Sequence, residues 1–356
     1  MNPAFLGRGL FSKEIRAMKA MVLKGPRDLK LETIERPVPS IDQVLVQVTS
    51  SGICGTDLKI YVGAIPVHYP RIMGHELCGV LVEGGDQHIR TGDRVMVDPS
   101  IYCGTCFCCH AGDTSICPHG GLLGRDSNGG FAKYVVVSRR QIFPLPPTID
   151  NRQAPLIQVA ATCLHGQRQL DIFPGHSVVV LGLGVSGQLH VQLAKARGAH
   201  PVIGITRSAW KRSLAEKLGA DITLPSGRDA ERAVLEATEG RGADVVIECT
   251  GKLPTVASAI AMSRRGGQLL LFGIVTATEG TLPFYQLYFK ELTIVNSRAA
   301  KSEDFPAMIA LAASGAVNLE ALVTHVVPLS DLGTALRMLE SDADERMKII
   351  FDNAKL

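Results

Sequence analysis

Ser177-Val-Val-Val-Leu181-Gly182-Leu-Gly184-Val-Ser-Gly187, with a helical run behind it to Arg197, is the stretch that decides the fold. Ser177 to Leu181 reads as a strand buried on both faces, because an uninterrupted β-branched run suits a parallel sheet covered on each side. The glycines that follow stand where the chain must turn, where backbone must approach a pyrophosphate, and where helix must pack on strand. Unpaired N–H groups and the dipole at the helix N-terminus favour the anion there. A Gly-x-Gly-x-x-Gly run alone is a weak signal. Here a strand precedes it, a helix follows, and Val202 to Thr206 supplies the next strand at the right distance. Further on come a helix to Leu218, a strand from Asp244 to Glu248 and another from Gln268 to Phe272, introduced by Gly266-Gly267. This βαβ repetition predicts a doubly wound parallel sheet of the α/β class.

Upstream the character changes. Short apolar runs alternate with Gly-, Pro- and Asp-rich turns, and Val44–Val48, Leu77–Val82, Arg94–Val97 and Tyr134–Val137 read as strands of an all-β region. That region carries Cys54-Gly-Thr56-Asp57 and Gly74-His75-Glu76. A thiolate, an imidazole nitrogen and a carboxylate so close in sequence suit one zinc ion with a coordination position left open for chemistry. Thr56 adds a hydroxyl beside whatever the metal holds. The alternative is a buried free cysteine with an unrelated His–Glu pair.

Cys103, Cys106, Cys109 and Cys117 are separated by two, two and seven residues. Four thiolates in one lobe close a tetrahedral zinc with no open position, which is a structural site. An iron–sulfur cluster or free thiols are the alternatives, and Cys108 is left over, expected to point away. Downstream of Asn296, helical segments around Phe305–Ser314 and Leu332–Ser341 and a strand-like end, Met347–Phe351, are expected to return and complete the N-terminal domain.

Composition sets the limits. A chain of 356 residues has room for two or three domains. Hydrophobic content of 46% with 36 glycines and 5% aromatics fits a globular α/β enzyme, and not a disordered or fibrous chain. A net charge of +3 without a basic run argues against nucleic acid as a partner. No apolar stretch approaches the roughly 20 residues a membrane helix needs. Five of the nine cysteines crowd into residues 103–117, which is metal spacing rather than a disulfide framework, so a cytoplasmic location is expected. Residues 1–18 read as an extension or a mis-set start, since Gly7, Arg8 and Gly9 break any continuous apolar segment.

Taken together, Gly-Ile-Cys54-Gly-Thr-Asp, Gly74-His75-Glu76, the four-cysteine lobe, Gly182–Gly187 and Glu248-Cys-Thr-Gly251 resemble the zinc-containing medium-chain dehydrogenases, nearest the sorbitol, threonine and polyol dehydrogenase branch. The resemblance implies a GroES-like β-rich catalytic domain (residues 19–158 and 297–356) and a Rossmann domain (159–296), with the active site in the cleft between them. It implies two zinc ions per chain and a nicotinamide cofactor contacted by Gly182, Gly184, Val185, Gly187, Thr250, Gly273 and Arg298. A homodimer or homotetramer acting on a small alcohol, polyol or sugar-like substrate is expected, with no membrane partner. Cys54 and His75 are the implied catalytic zinc ligands. Thr56 is the proton acceptor of the substrate alcohol, which the metal acidifies before hydride passes to the nicotinamide.

Three positions depart from the family pattern. Where polyol dehydrogenases carry Glu and simple alcohol dehydrogenases Cys, this chain has Gln158, as some glucose dehydrogenase-like members do. Either Glu76 or Gln158 is then the third ligand, with the other set behind it. Lys59 stands where several relatives have a relay histidine. Finally, no acidic residue occurs between Gly182 and Ala215, although NAD-binding versions of the fold place one about 20 residues past the first glycine to hold the ribose hydroxyls. Thr206, Arg207 and Ser208 end the second strand, with Lys211 and Arg212 following, so NADP(H) is expected over NAD(H). Two other readings stand: an aldose 1-dehydrogenase, which Gln158 favours, and a nicotinamide-binding protein without turnover.

Overall fold

Two large sheets built from opposite kinds of sequence, with two small ones beside them, organise the computed structural model, which describes residues 17–341 and 345–353. The expected N-terminal extension lies outside the described residues except for Ala17 and Met18. These open strand β1 (Ala17–Gly25), where Met18 is buried, and β1 forms a hairpin with β2 (Asp28–Glu35). The spine of the first large sheet is β3 (Gln43–Ile53), which runs straight into a short helix α1 (Gly55–Tyr61). After β4 (Arg71–Ile72), which pairs with β1, come β5 (Glu76–Glu83) and β6 (Arg94–Val97). β7 (Ser100–Ile101), α2 (Phe107–His110) and β8 (Gly121–Leu122) frame the cysteine lobe, and β9 (Tyr134–Ser138) and β10 (Ile142–Pro144) return to the sheet.

The region read as all-β therefore contains two short helices. α1 escaped the periodicity because it is only seven residues long. It is set instead by a cap: the Asp57 carboxylate accepts the Cys54 N–H at 2.9 Å, leaving Ile60 and Tyr61 buried beneath.

The second sheet alternates helix and strand. Helix α3 (Leu156–Arg168) crosses into it, followed by β11 (Val178–Leu181), α4 (Val185–Ala196), β12 (Val202–Ile205), α5 (Ala209–Lys217), β13 (Ile222–Leu224), α6 (Arg228–Ala237), β14 (Ala243–Glu248), α7 (Leu253–Met262), β15 (Ser263–Leu271), α8 (Phe284–Phe289) and β16 (Thr293–Asn296). All six strands run parallel in the order β13-β12-β11-β14-β15-β16. The order reverses between β11 and β14, which opens a crevice at the carboxyl ends of the strands. β15 begins at Ser263, earlier than the expected Gln268, because Ser263 already pairs with Ala243 ahead of a register shift.

After α9 (Asp304–Ala313) the chain leaves the parallel sheet. β17 (Val323–Val327), helix α10 (Leu332–Glu340) and β18 (Lys348–Asp352) follow, and β18 pairs antiparallel with β3. One apolar cluster joins the two sheets: Leu156 and Ile157 of α3, Leu189 and Leu193 of α4, and Phe305 and Met308 of α9. Phe143 stacks on Phe305 at 5.2 Å within it. Beside this cluster the buried Asp304 holds α9 to α3 through His165 at 3.0 Å and Arg168 at 2.6 Å. No described helix is long and apolar enough to cross a membrane.

Candidate active site

Strand register assembles the first cluster. Gly52 pairs with Glu76 on one side of β3 and with Ile350 on the other, so Cys54, His75 and Lys348 emerge at the same end of three neighbouring strands. Ligand atoms of Cys54, His75 and Glu76 lie within 4.8 Å of one another. A Cβ added at Gly52 would meet Glu76 Oε2 at 2.1 Å, so a side chain here would displace that carboxylate. His75 and Glu76 are buried and Cys54 and Thr56 half-buried, the latter on the first turn of α1.

Two residues of this cluster had no role in the sequence reading. Asp57, fully buried, faces His75 Nδ1 at 3.3 Å and also accepts the Gly74 N–H at 3.3 Å. The carboxylate thus faces one ring nitrogen and leaves the other for a ligand. Its signal was present in the Cys54-x-x-Asp57 capping spacing. Lys348, 4% exposed, donates to Glu76 Oε1 at 2.7 Å. The only sign of it in the sequence is a lysine inside the apolar run Met347–Phe351.

Burial works against charge on both basic groups, and the local anions outweigh it. Asp57, then Cys54, hold the His75 ring well above its ordinary range, and Glu76 and Cys54 raise the Lys348 ammonium. Grouped this closely, a thiol, an imidazole and a carboxylate are a donor set that fits a bound zinc. Gln158 is half-buried on the first turn of α3, the helix leading into the parallel sheet. Lys59 is exposed.

The second cluster is Cys103, Cys106, Cys109 and Cys117, whose sulfurs again lie within 4.8 Å of one another, while Cys108 stays outside it. Sulfur–sulfur distances of 3.7, 3.8 and 4.0 Å are too long for disulfides. They match the edge of a tetrahedron with metal–sulfur bonds of about 2.3 Å. The Thr105 N–H and hydroxyl both donate to Cys103 and draw its thiol down, while desolvation and the neighbouring thiols raise Cys106 and Cys109. Arg298, expected at the cofactor, instead donates to Ser115 O of this lobe, and Lys301 pairs with Asp113 at 2.6 Å.

The third feature is a cavity of about 520 Å³ at the carboxyl ends of β11, β12 and β14. Gly182 (φ +93°) makes the turn into α4 and packs against Thr250, and a Cβ on Gly187 would meet Gly182 O at 1.9 Å. A Cβ on Gly184 would meet nothing, so space for an anion is open at the helix start, where Val185 begins α4. Gly273 approaches Gly251 so closely that a Cβ would lie 2.2 Å from its nitrogen. Glu248 ties that turn together by accepting the Thr250 and Gly251 N–H groups at 2.8 and 3.0 Å.

Of the residues expected around the adenosine ribose, Thr206 and Arg207 line the cavity. Ser208 stands at the N-cap position of α5 with no capping hydrogen bond from its side chain, and Lys211 lies over the Trp210 ring. Arg212 donates to the carbonyls of Thr206 and Arg207, each at 2.9 Å, so it braces the turn. Arg228 and Lys252 also line the cavity and were not anticipated, since each comes from a different loop.

Comparison with known proteins agrees with this geometry. Residues 40–147 match the model of the alcohol dehydrogenase GroES-like domain, and 186–314 that of the zinc-binding dehydrogenases. The chain is 33% identical over 340 residues to a sorbitol dehydrogenase of Halalkalibacterium halodurans, covering 94% of this chain and 98% of that one. It is 33% identical over 331 residues to D-arabinitol dehydrogenase 1 of Uromyces fabae, covering 91% and 94%. A crystal structure from Sinorhizobium meliloti 1021, bound to NADP, superposes with a TM-score of 0.88 at 33% identity, covering 94% and 99%. By its motifs, its two sheets and these matches, the chain belongs to the zinc-containing medium-chain dehydrogenases, among the sorbitol, threonine and polyol dehydrogenases.

Proposed function

We propose that this enzyme moves hydride between a secondary alcohol of a polyol or sugar-like substrate and NADP(H), using one zinc at Cys54 and His75, with Glu76 or Gln158 as the third ligand, and a second at the four cysteines. The observation that carries the reading is the convergence of Cys54, His75 and Glu76 at one sheet end. Bound there, zinc supplies a Lewis acid for the alcohol oxygen. Thr56 takes the alcohol proton and passes it towards solvent. Asp57 holds the His75 ring in its ligating orientation. Glu76 is engaged by Lys348, which favours Gln158 as the third ligand through its amide oxygen.

NADP is favoured because the turn after β12 brings Thr206 and Arg207, and no carboxylate, to the cavity. The NADP-bound structural relative supports the same choice. A homodimer or homotetramer is supported by the open edge of the parallel sheet, where Ile294 of β16 and Tyr285 and Tyr288 of α8 are exposed. The nine cysteines, all free, support a reducing, cytoplasmic setting.

Metal analysis and a substrate screen test this. Two zinc ions per chain, turnover of polyols, and a higher kcat/KM with NADP than NAD are expected, with Arg207→Ala costing roughly 1–3 kcal/mol on the NADP side alone. One zinc and no turnover would leave a cofactor-binding protein. Gln158 keeps aldose oxidation at the anomeric carbon as the second reading, and faster turnover of aldoses than of polyols would establish it.

A further inference from the structure

Three cations line the cavity beside β12, and they come from three separate βα turns: Arg207 after β12, Arg228 after β13 and Lys252 after β14. Two of those turns run side by side. Ile205 pairs with Leu224, and the Thr206 N–H donates to Leu224 O at 3.1 Å, so residues 206–208 and 225–228 leave the sheet together. Arg228 begins α6 behind Gly227, whose φ of 153° lets the chain swing into the helix.

These side chains are uncommitted, unlike their neighbours. Arg212 is spent on the Thr206 and Arg207 carbonyls, and Arg232 on Asp229 and Glu236. No described residue forms an ion pair with Arg207, Arg228 or Lys252, and all three are exposed. The one acid on the cavity wall, Glu231, is held by the Ser258 hydroxyl at 2.8 Å. The wall is thus cationic, with the Ser226 and Thr206 hydroxyls beside the two arginines as neutral donors.

We propose that Arg228 is a cofactor-specificity residue: with Arg207 it grips a phosphomonoester on the adenosine ribose from two adjacent turns. This rests on the NADP reading and extends it to a residue outside the β12 turn. A single exposed arginine can be lost to solvent, whereas two guanidiniums from separate turns enclose a dianion and satisfy more of its oxygens. An adenosine lacking the phosphate gives Arg228 nothing to bind.

The test uses the full chain and two probes, 2′,5′-ADP and 5′-AMP, titrated by calorimetry or by Trp210 emission. Wild type is expected to prefer 2′,5′-ADP, with Arg228→Ala and Arg207→Ala each weakening that probe about 10- to 100-fold. Retention of 5′-AMP binding in both variants shows that the cavity is intact. If wild type prefers 2′,5′-ADP and only Arg207→Ala weakens it, the role of Arg228 is overturned and the NADP reading stands. If wild type binds both probes alike, the NADP reading fails and this inference with it.

Discussion

Lys348 and Glu76, 272 residues apart, form an ion pair inside the protein, with Nζ 2.7 Å from Oε1 and side-chain exposures of 5% and 1%. The pair ties the last strand to the end of β5 that carries His75. Breaking a buried pair from one side leaves the other charge desolvated, which costs about 3–5 kcal/mol. Lys348→Met should therefore lower stability by that order in chemical denaturation. The double variant Lys348→Met/Glu76→Gln should recover most of the loss. Equal destabilisation of single and double variants would show that Lys348 acts by packing alone.

Because Lys348 engages Glu76, the charge at the catalytic zinc depends on position 158. On the proposed reading with Gln158 as third ligand, Cys54 would contribute one negative charge and His75 and Gln158 none, so a bound zinc would keep a net positive charge. Gln158→Glu should bring the site to neutrality and slow zinc loss to a mild chelator. The quantity to follow is the zinc retained per chain over time. Identical loss curves for the two proteins would sink the charge argument.

The cysteine lobe should be needed for folding rather than for turnover. Structural zinc contributes on the order of 10 kcal/mol in small zinc domains, and here the lobe also anchors Arg298 and Lys301. Cys106→Ser should give aggregated or unstable protein, and Cys108→Ser should be nearly silent. Loss of a zinc from the Cys108 variant would mean that the wrong four thiols have been chosen.

Asp98 gives a pH dependence with a definite sign. It is 1% exposed, and burial pushes its carboxyl up to about 6, the Ser100 and Ser302 hydrogen bonds only partly offsetting this. Its folded pKa is thus above the unfolded value of about 3.9. The stability it contributes is complete below about pH 4 and lost as pH rises through about 6. Asp98→Asn keeps an acceptor for the Ser100 N–H and removes the buried charge. Its melting temperature should match wild type near pH 3.5 and exceed it at pH 7.5, by at most about 3 kcal/mol in stability. A constant difference across that range would rule out titration of Asp98 as the cause.

Much of the architecture was legible because it is local. A buried β-branched strand, a glycine turn and a helix follow one another within Ser177–Arg197, and each is dictated by its own residues. The spacing of Cys103, Cys106, Cys109 and Cys117 singles out the four sulfurs that the fold brings together. Helix α1 was not legible, because a seven-residue helix has too few turns to show a period and rests on the Asp57 cap.

What the sequence by itself determined is therefore the inventory: the donors, the phosphate-binding turn, the βαβ order and the missing acid after β12. Only the tertiary structure decided which charges meet. Glu76 finds Lys348 because β18 returns to pair with β3, and Arg212 turns back on its own loop while Arg228 reaches the cavity. The physical reason is that ion pairing is set by strand register between segments far apart in the chain. A one-residue slip in β18 would carry Lys348 to the opposite face of the sheet, and no spacing rule along the chain records that register.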